Sequence, residues 1–184
     1  YLLEGGDTLI SSCSQSLCND SIMIKGNQPT DGGHLLLTTA EKEQLLAREP
    51  HAAKWIKRLL GAQEFLHGKE RWCLWLADAT KEEIETMPLV QQRVEAVRAT
   101  RLASRDAGAR RLAERPHQFR DLNNPSSFIL VPSHSSERRA YVPLGFLSSE
   151  VIASNANLII PNATLYEFGI LTSEMHNDWM RTVA

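Results

Sequence analysis

Residues 129–146 read Ile-Leu-Val-Pro-Ser-His-Ser-Ser-Glu-Arg-Arg-Ala-Tyr-Val-Pro-Leu-Gly-Phe, and this stretch carries the clearest structural signal of the chain. Two apolar, strand-like runs at 128–131 and 140–146 flank a polar tip at 133–139, a pattern that predicts a β-hairpin. The tip combines a carboxylate, two guanidiniums, three hydroxyls and an imidazole, which are groups that bind base edges and phosphates. Composition alone favours the simpler interpretation of a solvated turn, because most loops are polar.

Capping boxes, in which a Thr precedes a Glu by three residues, predict helices that start after Thr38, Thr80 and Thr164. A fourth helix is predicted from Pro88 to about Ser104. Three compact apolar runs predict further strands: 35–37, 71–76 and 155–160. The predicted fold class is α+β, a mostly antiparallel sheet with helices packed around it.

Three other predictions depend on periodicity over longer stretches. Apolar residues after Pro50 recur at helical spacing and predict a second helix that ends at Gly61. A turn at 67–69 predicts a hairpin between strands at 64–66 and 71–76. The last helix is predicted to dock on the core through one apolar face, formed by Leu165, Phe168, Leu171, Met175 and Trp179.

Length and composition fit a globular domain of 184 residues with a net charge of −2, so any nucleic-acid binding has to come from a local patch. The three cysteines form no disulfide or zinc pattern and are interpreted as reduced thiols of a cytoplasmic protein. No apolar run approaches the roughly 18 residues of a membrane span. The chain starts at Tyr1 and resembles a piece of a longer protein, with an irregular lead-in at 1–27 before a domain at 28–184.

One region of this slightly acidic chain is basic. Arg98, Arg101 and Arg105 follow one another at helical steps, and Arg110 and Arg111 come directly after them. This face can follow a phosphate backbone, or it can be an ordinary solvated helix face. The residues alone leave both interpretations open.

Catalytic and metal-binding motifs are absent from the sequence. There is no Gly-rich phosphate loop, no nucleophile elbow and no metal-binding Cys/His spacing. Ser133, His134 and Glu137 supply the residue types of a hydrolytic triad, but they crowd one short loop, where a base cannot be oriented by a third group. The residues alone therefore indicate a binding module.

Six stretches, in order, resemble the target recognition domain of the MmeI-like single-chain restriction–modification enzymes. They include Pro-Thr-Asp-Gly-Gly-His-Leu-Leu-Leu at 29–37, Leu-Gly-Ala-Gln-Glu-Phe-Leu-His-Gly at 60–68 and Ile-Ile-Pro-Asn-Ala at 159–163. The remaining matches lie at 49–56, 71–76 and 131–143. The resemblance extends from about Gln28 to the end of the chain.

The resemblance implies that this domain follows an S-adenosylmethionine-dependent adenine methyltransferase domain, with a nuclease at the N-terminus of some members. The Asn-Pro-Pro-Tyr motif of the methyltransferase is absent here, so the chain is expected to be inert and to bind no cofactor itself. Its implied partners are double-stranded DNA, held while an adenine is flipped out, and the methyltransferase domain of the same protein.

The resemblance also implies roles for individual residues. Glu137 and Arg139 match the family's Glu-x-Arg specificity positions and would together recognise one base pair, with cytosine–guanine suiting their chemistry. A second set of base contacts would come from Ser104, Arg105 and Asp106. Tyr141 stands where relatives often carry a basic residue, so its base contact departs from the family pattern. The DNA backbone would be bound by the following residues: His134, Ser135, Ser136, Arg138, Arg98, Arg101, Arg110 and Arg111.

Two rival interpretations remain at this point. The same domain can bind RNA, or DNA without sequence preference, through its basic residues. Alternatively, the arginine face can be a protein-interaction surface that docks the methyltransferase domain.

Overall fold

The computed structural model describes residues 21–136 and 138–183, and within them the chain forms two four-stranded sheets surrounded by helices. The strands are β1 (Ile24–Lys25), β2 (Leu36–Leu37), β3 (Ile56–Leu60), β4 (Trp72–Leu74), β5 (Ser127–Pro132), β6 (Gly145–Ser148), β7 (Val151–Ala153) and β8 (Asn157–Pro161). The α-helices are α1 (Thr39–Arg48), α2 (Ala62–His67), α3 (Lys81–Glu85), α4 (Pro88–Leu102), α5 (Ala107–Arg111), α6 (Leu165–Thr172) and α7 (Glu174–Val183). Short 3₁₀ helices span Pro50–Trp55 and Leu112–Glu114.

The first sheet has the strand order β1-β8-β5-β6, and all its pairings are antiparallel. The predicted hairpin is confirmed, because Ile129 of β5 pairs with Phe146 of β6. Its second strand starts at Gly145 rather than at residue 140, which lengthens the connection to 133–144. At Gly145 a Cβ atom would come within 3.0 Å of the Phe65 ring, so glycine allows the close approach of α2.

The second sheet has the order β2-β4-β3-β7, with β3 antiparallel to β4 and parallel to β7. The predicted helix over 50–61 is wrong: its first half is a 3₁₀ helix and its second half is β3. Pairing on both sides and burial of Leu59 and Leu60 override the helical periodicity, since tertiary contacts outweigh local propensity.

The predicted hairpin around 67–69 is also wrong, because residues 62–67 form α2. Glu64 Oε2 accepts a hydrogen bond of 2.8 Å from the Gly61 N–H and so caps this helix. Gly68, with φ of 66°, ends it in the left-handed conformation. Only β4 of the predicted hairpin is a strand.

The predicted helix starts hold. The three predicted capping boxes close at Thr38, Thr80 and Thr164, and α4 extends from Pro88 to Leu102. The α+β class and the mostly antiparallel pairing are confirmed. The larger core lies between the second sheet and α4, and burial there raises the pKa of the Cys73 thiol to about 12.

The final helix is broken, and its predicted docking face is wrong. Ser173 has an extended backbone between α6 and α7, so the periodicity across the break no longer describes one face. Leu165, Met175 and Trp179 are 79%, 82% and 53% exposed. Phe168 packs against β6, with its ring centroid 5.3 Å from that of Phe146.

The lead-in predicted over 1–27 ends in ordered structure, with residues 1–20 outside the described part. Ile24 of β1 pairs with Ile159 of β8. The Asn27 side chain is fully buried and donates hydrogen bonds to the carbonyls of Asn123 and Ala153. Residues 24–27 therefore belong to the fold. No described helix has the length and apolar character needed to cross a membrane.

Candidate nucleic-acid interface

The tip loop, residues 133–144, connects β5 to β6 at one end of the first sheet. Its first part is exposed from Ser133 to Ser136, and Arg138 is exposed as well. The Arg139 N–H donates a hydrogen bond to the Ser136 carbonyl at 3.0 Å. Glu137 itself lies outside the described residues, so its predicted role is not tested by the geometry.

Arg139 and Tyr141 line one open cavity of about 620 Å³ together with Ser135 and Ser136. Tyr141 is 51% exposed, whereas Arg139 is half-buried. The Arg139 Nη1 atom has no hydrogen-bond partner within the described part of the chain. The tip loop therefore brings four of the predicted DNA-contacting residues to one concave surface.

The opposite wall of this cavity is formed by α7, through Asn177, Met180 and Arg181. Asn177 accepts a hydrogen bond from the backbone of the tip loop, and Arg181 donates hydrogen bonds to it. Sequence reasoning missed these two residues. No local signal could have found them, since their partners lie 35–42 residues away along the chain.

The predicted arginine face divides between solvent and core. Arg101 is only 1% exposed, and its guanidinium donates hydrogen bonds to five main-chain carbonyls, those of Pro29, Thr30, Leu112, Arg115 and Gln118. The prediction that Arg101 contacts the DNA backbone is therefore wrong. Burial lowers the pKa of this guanidinium, while the nearby Asp31 carboxylate opposes that effect.

The remaining arginines of this region are exposed: Arg98, Arg105, Arg110 and Arg111. Arg110 Nη1 also donates to the carbonyls of Ser104 and Arg105, at 2.9 and 2.8 Å. It therefore fixes the turn between α4 and α5 while keeping its charge at the surface. All four side chains are accessible from solvent, as a contact with a phosphate backbone requires.

The predicted second set of base contacts lies in this turn. The Asp106 carboxylate caps α5 by accepting from the N–H groups of Gly108 and Ala109, at 2.9 and 3.1 Å. These two hydrogen bonds lower the pKa of the Asp106 carboxyl. Ser104 Oγ accepts from the Asp106 N–H. Base readout by Ser104, Arg105 and Asp106 stays a prediction, and Asp106 has a structural role beside it.

Over the described ranges, no group of His, Cys, Asp and Glu side chains is arranged to hold a metal ion. His134 is exposed in the tip loop. The chemistry displayed at the tip loop and the α4–α5 turn is thus hydrogen bonding and positive charge. Both are properties of a binding surface.

The chain matches the family model described as MmeI, target recognition domain, over residues 4–184. It belongs to the MmeI target recognition domain family. Its sequence is 38% identical over 185 residues to DNA methyltransferase A of Bacillus subtilis (strain 168), covering all of this chain and 21% of that protein. The resemblance found in the sequence is confirmed.

A solved structure supports the same assignment. The Type IIL restriction–modification enzyme MmeI, determined in complex with DNA, aligns with a TM-score of 0.90 and 40% sequence identity. The alignment covers all of this chain and 25% of the MmeI chain. This chain therefore spans about a fifth to a quarter of the length of these two relatives.

Proposed function

We propose that this chain is the sequence-specific, double-stranded DNA recognition domain of an adenine methyltransferase of restriction–modification type. The observation that carries the proposal is the tip loop, which presents Arg139 and Tyr141 at an open cavity in a chain 40% identical to part of a DNA-bound enzyme. A β-ribbon of this kind fits the major groove, where each base pair has a distinct pattern of donors and acceptors.

In this proposal Glu137 and Arg139 recognise one cytosine–guanine pair together. The Glu137 carboxylate accepts from the cytosine amino group, and the Arg139 guanidinium donates to guanine O6 and N7. The two side chains thus contact both bases of the pair, which show different groups at their edges. Tyr141, at the exposed side of the cavity, contacts the neighbouring base.

Contacts with the sugar–phosphate backbone hold the duplex in register. In the tip loop these come from Ser135, Ser136, Arg138 and His134, all of which are exposed. Around α4 and α5 they come from the exposed guanidiniums of Arg98, Arg105, Arg110 and Arg111. Arg105 also belongs, with Ser104 and Asp106, to the second set of base contacts.

The methyl donor S-adenosylmethionine is bound by another domain of the parent protein. The Asn-Pro-Pro-Tyr motif that marks such a methyltransferase is absent from this chain, which therefore contributes site selection and not chemistry. The methyltransferase domain is the intramolecular partner of this chain. The substrate of the parent protein is bacterial DNA, so we place the parent protein in the cytoplasm.

A domain exchange in the full-length parent tests this function. Replacing residues 1–184 with the matching segment of DNA methyltransferase A should make the parent methylate adenines in the sequence context that the Bacillus subtilis enzyme uses. Mapping methylated adenines in DNA from cells that express each protein measures this. An exchanged protein that still methylates the original context would contradict the proposal.

The two rival functions predict other outcomes in the same experiment. If the domain binds nucleic acid without sequence preference, the adenines that the original parent protein methylates share no surrounding sequence. A domain that only docks the methyltransferase gives a motif that does not follow the exchanged segment.

A further inference from the structure

We infer that α7 positions the tip loop, and that Asn177 and Arg181 thereby determine how strictly the Glu137–Arg139 pair selects its base pair. This inference depends on the proposed function. It assigns a role in specificity to two residues on a different element, 38 or more positions after Arg139 along the chain. Both are positioning residues, since they hold the backbone that carries the base-contacting side chains.

Arg181 holds the tip loop at Arg139 itself. Its Nη2 atom donates to the Arg139 carbonyl at 3.0 Å and also to the Ala140 carbonyl. Its Nη1 atom donates to Asp178 Oδ1 at 3.2 Å, one turn earlier on α7. The ion pair orients the planar guanidinium through Nη1, and Nη2 then binds two successive peptide carbonyls.

Asn177 holds the same backbone two residues further on. Its Oδ1 atom accepts from the Val142 N–H at 3.1 Å. Its Nδ2 atom donates to the carbonyls of Leu171 and Ser173, at 3.2 and 2.8 Å, where α6 ends. The side chain is only 3% exposed, so one amide links the tip loop rigidly to the α6–α7 junction.

Few main-chain hydrogen bonds hold the tip loop between Ser133 and Val142. Its first part is tied by the hydrogen bond from the Ser133 N–H to the Ala156 carbonyl and by that from the Arg139 N–H to the Ser136 carbonyl. Between Arg139 and Val142, three main-chain groups are bonded to α7, namely the carbonyls of Arg139 and Ala140 and the N–H of Val142. A side chain that recognises a base has to be held to within about 0.5 Å, which requires such support from a rigid element.

The charge of Arg181 allows a competing explanation. Its side chain is 49% exposed, so a direct contact with a DNA phosphate would also use it. A phosphate contact strengthens binding to all sequences equally, whereas a positioning residue affects the base pair that its loop recognises. The two roles can therefore be separated by measuring discrimination at every position of the site.

The test uses the full-length parent protein, with its methylated site first mapped by sequencing. Methylation rates are measured on the site duplex and on duplexes carrying each single base-pair substitution. The variants are Arg181→Ala, Arg181→Lys and Asn177→Ala, with Arg48→Ala as the matched control. Arg48 is an exposed arginine in the last turn of α1, outside the proposed interface. The double variant Glu137→Lys/Arg139→Asp identifies the base pair that the Glu137–Arg139 pair recognises.

We expect Arg181→Ala to lower discrimination at that base pair by about fivefold or more, out of the roughly 5- to 150-fold that one bidentate contact supplies. Discrimination at other positions should stay within about twofold, as it should everywhere for Arg48→Ala. Arg181→Lys should restore discrimination in part, because it keeps a positive charge and hydrogen-bond donors but not the planar guanidinium that Asp178 orients. Asn177→Ala should lower discrimination at the same base pair. If loss of the buried amide prevents this variant from folding, Arg181→Ala still tests the inference.

Equal weakening at all positions in Arg181→Ala, fully restored by Arg181→Lys, would make Arg181 a phosphate contact and overturn the inference. Unchanged discrimination in the alanine variants, while Glu137→Lys/Arg139→Asp shifts the accepted base pair, would overturn the inference alone. If the double variant shifts no base pair, the proposed role of the tip loop fails, and the inference fails with it.

Discussion

Arg98, Arg101 and Arg105 follow one another at regular steps in the sequence, yet they have different surroundings. Arg98 and Arg105 are exposed, while Arg101 points into the domain and binds five carbonyls. Those carbonyls belong to residues 29–30, 112, 115 and 118, so this one side chain connects the turn before β2 with the segment after α5. A buried charge with this many partners stabilises a specific chain path.

Replacing Arg101 should therefore destabilise the fold rather than weaken DNA binding selectively. We expect Arg101→Leu to lower the free energy of unfolding by about 3–5 kcal/mol, because it leaves buried carbonyls without donors. Urea denaturation measures this, with Arg98→Ala as the control that stays within about 0.5 kcal/mol. An Arg101→Leu protein as stable as the wild type would show that the five hydrogen bonds contribute little.

Among the helices and strands, local sequence signals predicted the helix starts correctly. They failed for elements whose structure depends on contacts with distant segments. The capping boxes at Thr38, Thr80 and Thr164 were predictable because each is complete within four residues. The strand β3 was not, since its partners β4 and β7 come from outside its own segment. The tip loop was predictable as a polar connection, but its support by α7 was not, because a long helical periodicity hid the break at Ser173.

The capping box of α6 makes a pH-dependent contribution to stability. Hydrogen bonds from the Thr164 hydroxyl and N–H, with a further one from Ser21 Oγ, lower the pKa of the Glu167 carboxyl to about 2. The folded-state pKa is below the unfolded value of 4.5, so this stabilisation is present above pH 4.5 and is lost as the pH falls towards 2.

We expect Glu167→Gln to remove this part of the acid sensitivity. The difference in stability between the wild type and the variant should shrink as the pH falls from about 5 to about 2, because the protonated glutamic acid resembles glutamine. Urea denaturation at several pH values measures it, with the exposed Glu43→Gln as the control. A difference that stays constant over this range would rule out an ionised cap.

At the scale of the whole molecule, a net charge of −2 means that attraction to DNA has to come from a local surface. The exposed arginines around α4 and α5 and the exposed tip loop supply that surface in the proposed function. The fold and the family were predictable from the sequence, because six ordered motifs match one domain type. The side-chain directions that divide the arginine face were not, since they depend on packing between distant segments.

The salt dependence of DNA binding tests the arginine surface. Arg98→Ala and Arg111→Ala in the full-length parent should each reduce the slope of log affinity against log salt by about 1, and weaken binding to all sequences. Equilibrium binding to a duplex that carries the mapped site, measured at several salt concentrations, gives the slope. Arg48→Ala is the control with an unchanged slope. An unchanged slope in the two test variants would instead favour a protein-docking role for this face.

Base recognition by the Glu137–Arg139 pair is tested most directly by mapping methylated adenines in DNA from cells that express the parent protein with Glu137→Lys and Arg139→Asp. Lysine donates to guanine and aspartate accepts from the cytosine amino group, so the substitution reverses the two roles. We predict a methylated motif that differs from the wild-type motif at one position, with cytosine–guanine replaced by guanine–cytosine and activity retained. An unchanged motif, or equal loss of methylation at all sites, would contradict base recognition by this pair.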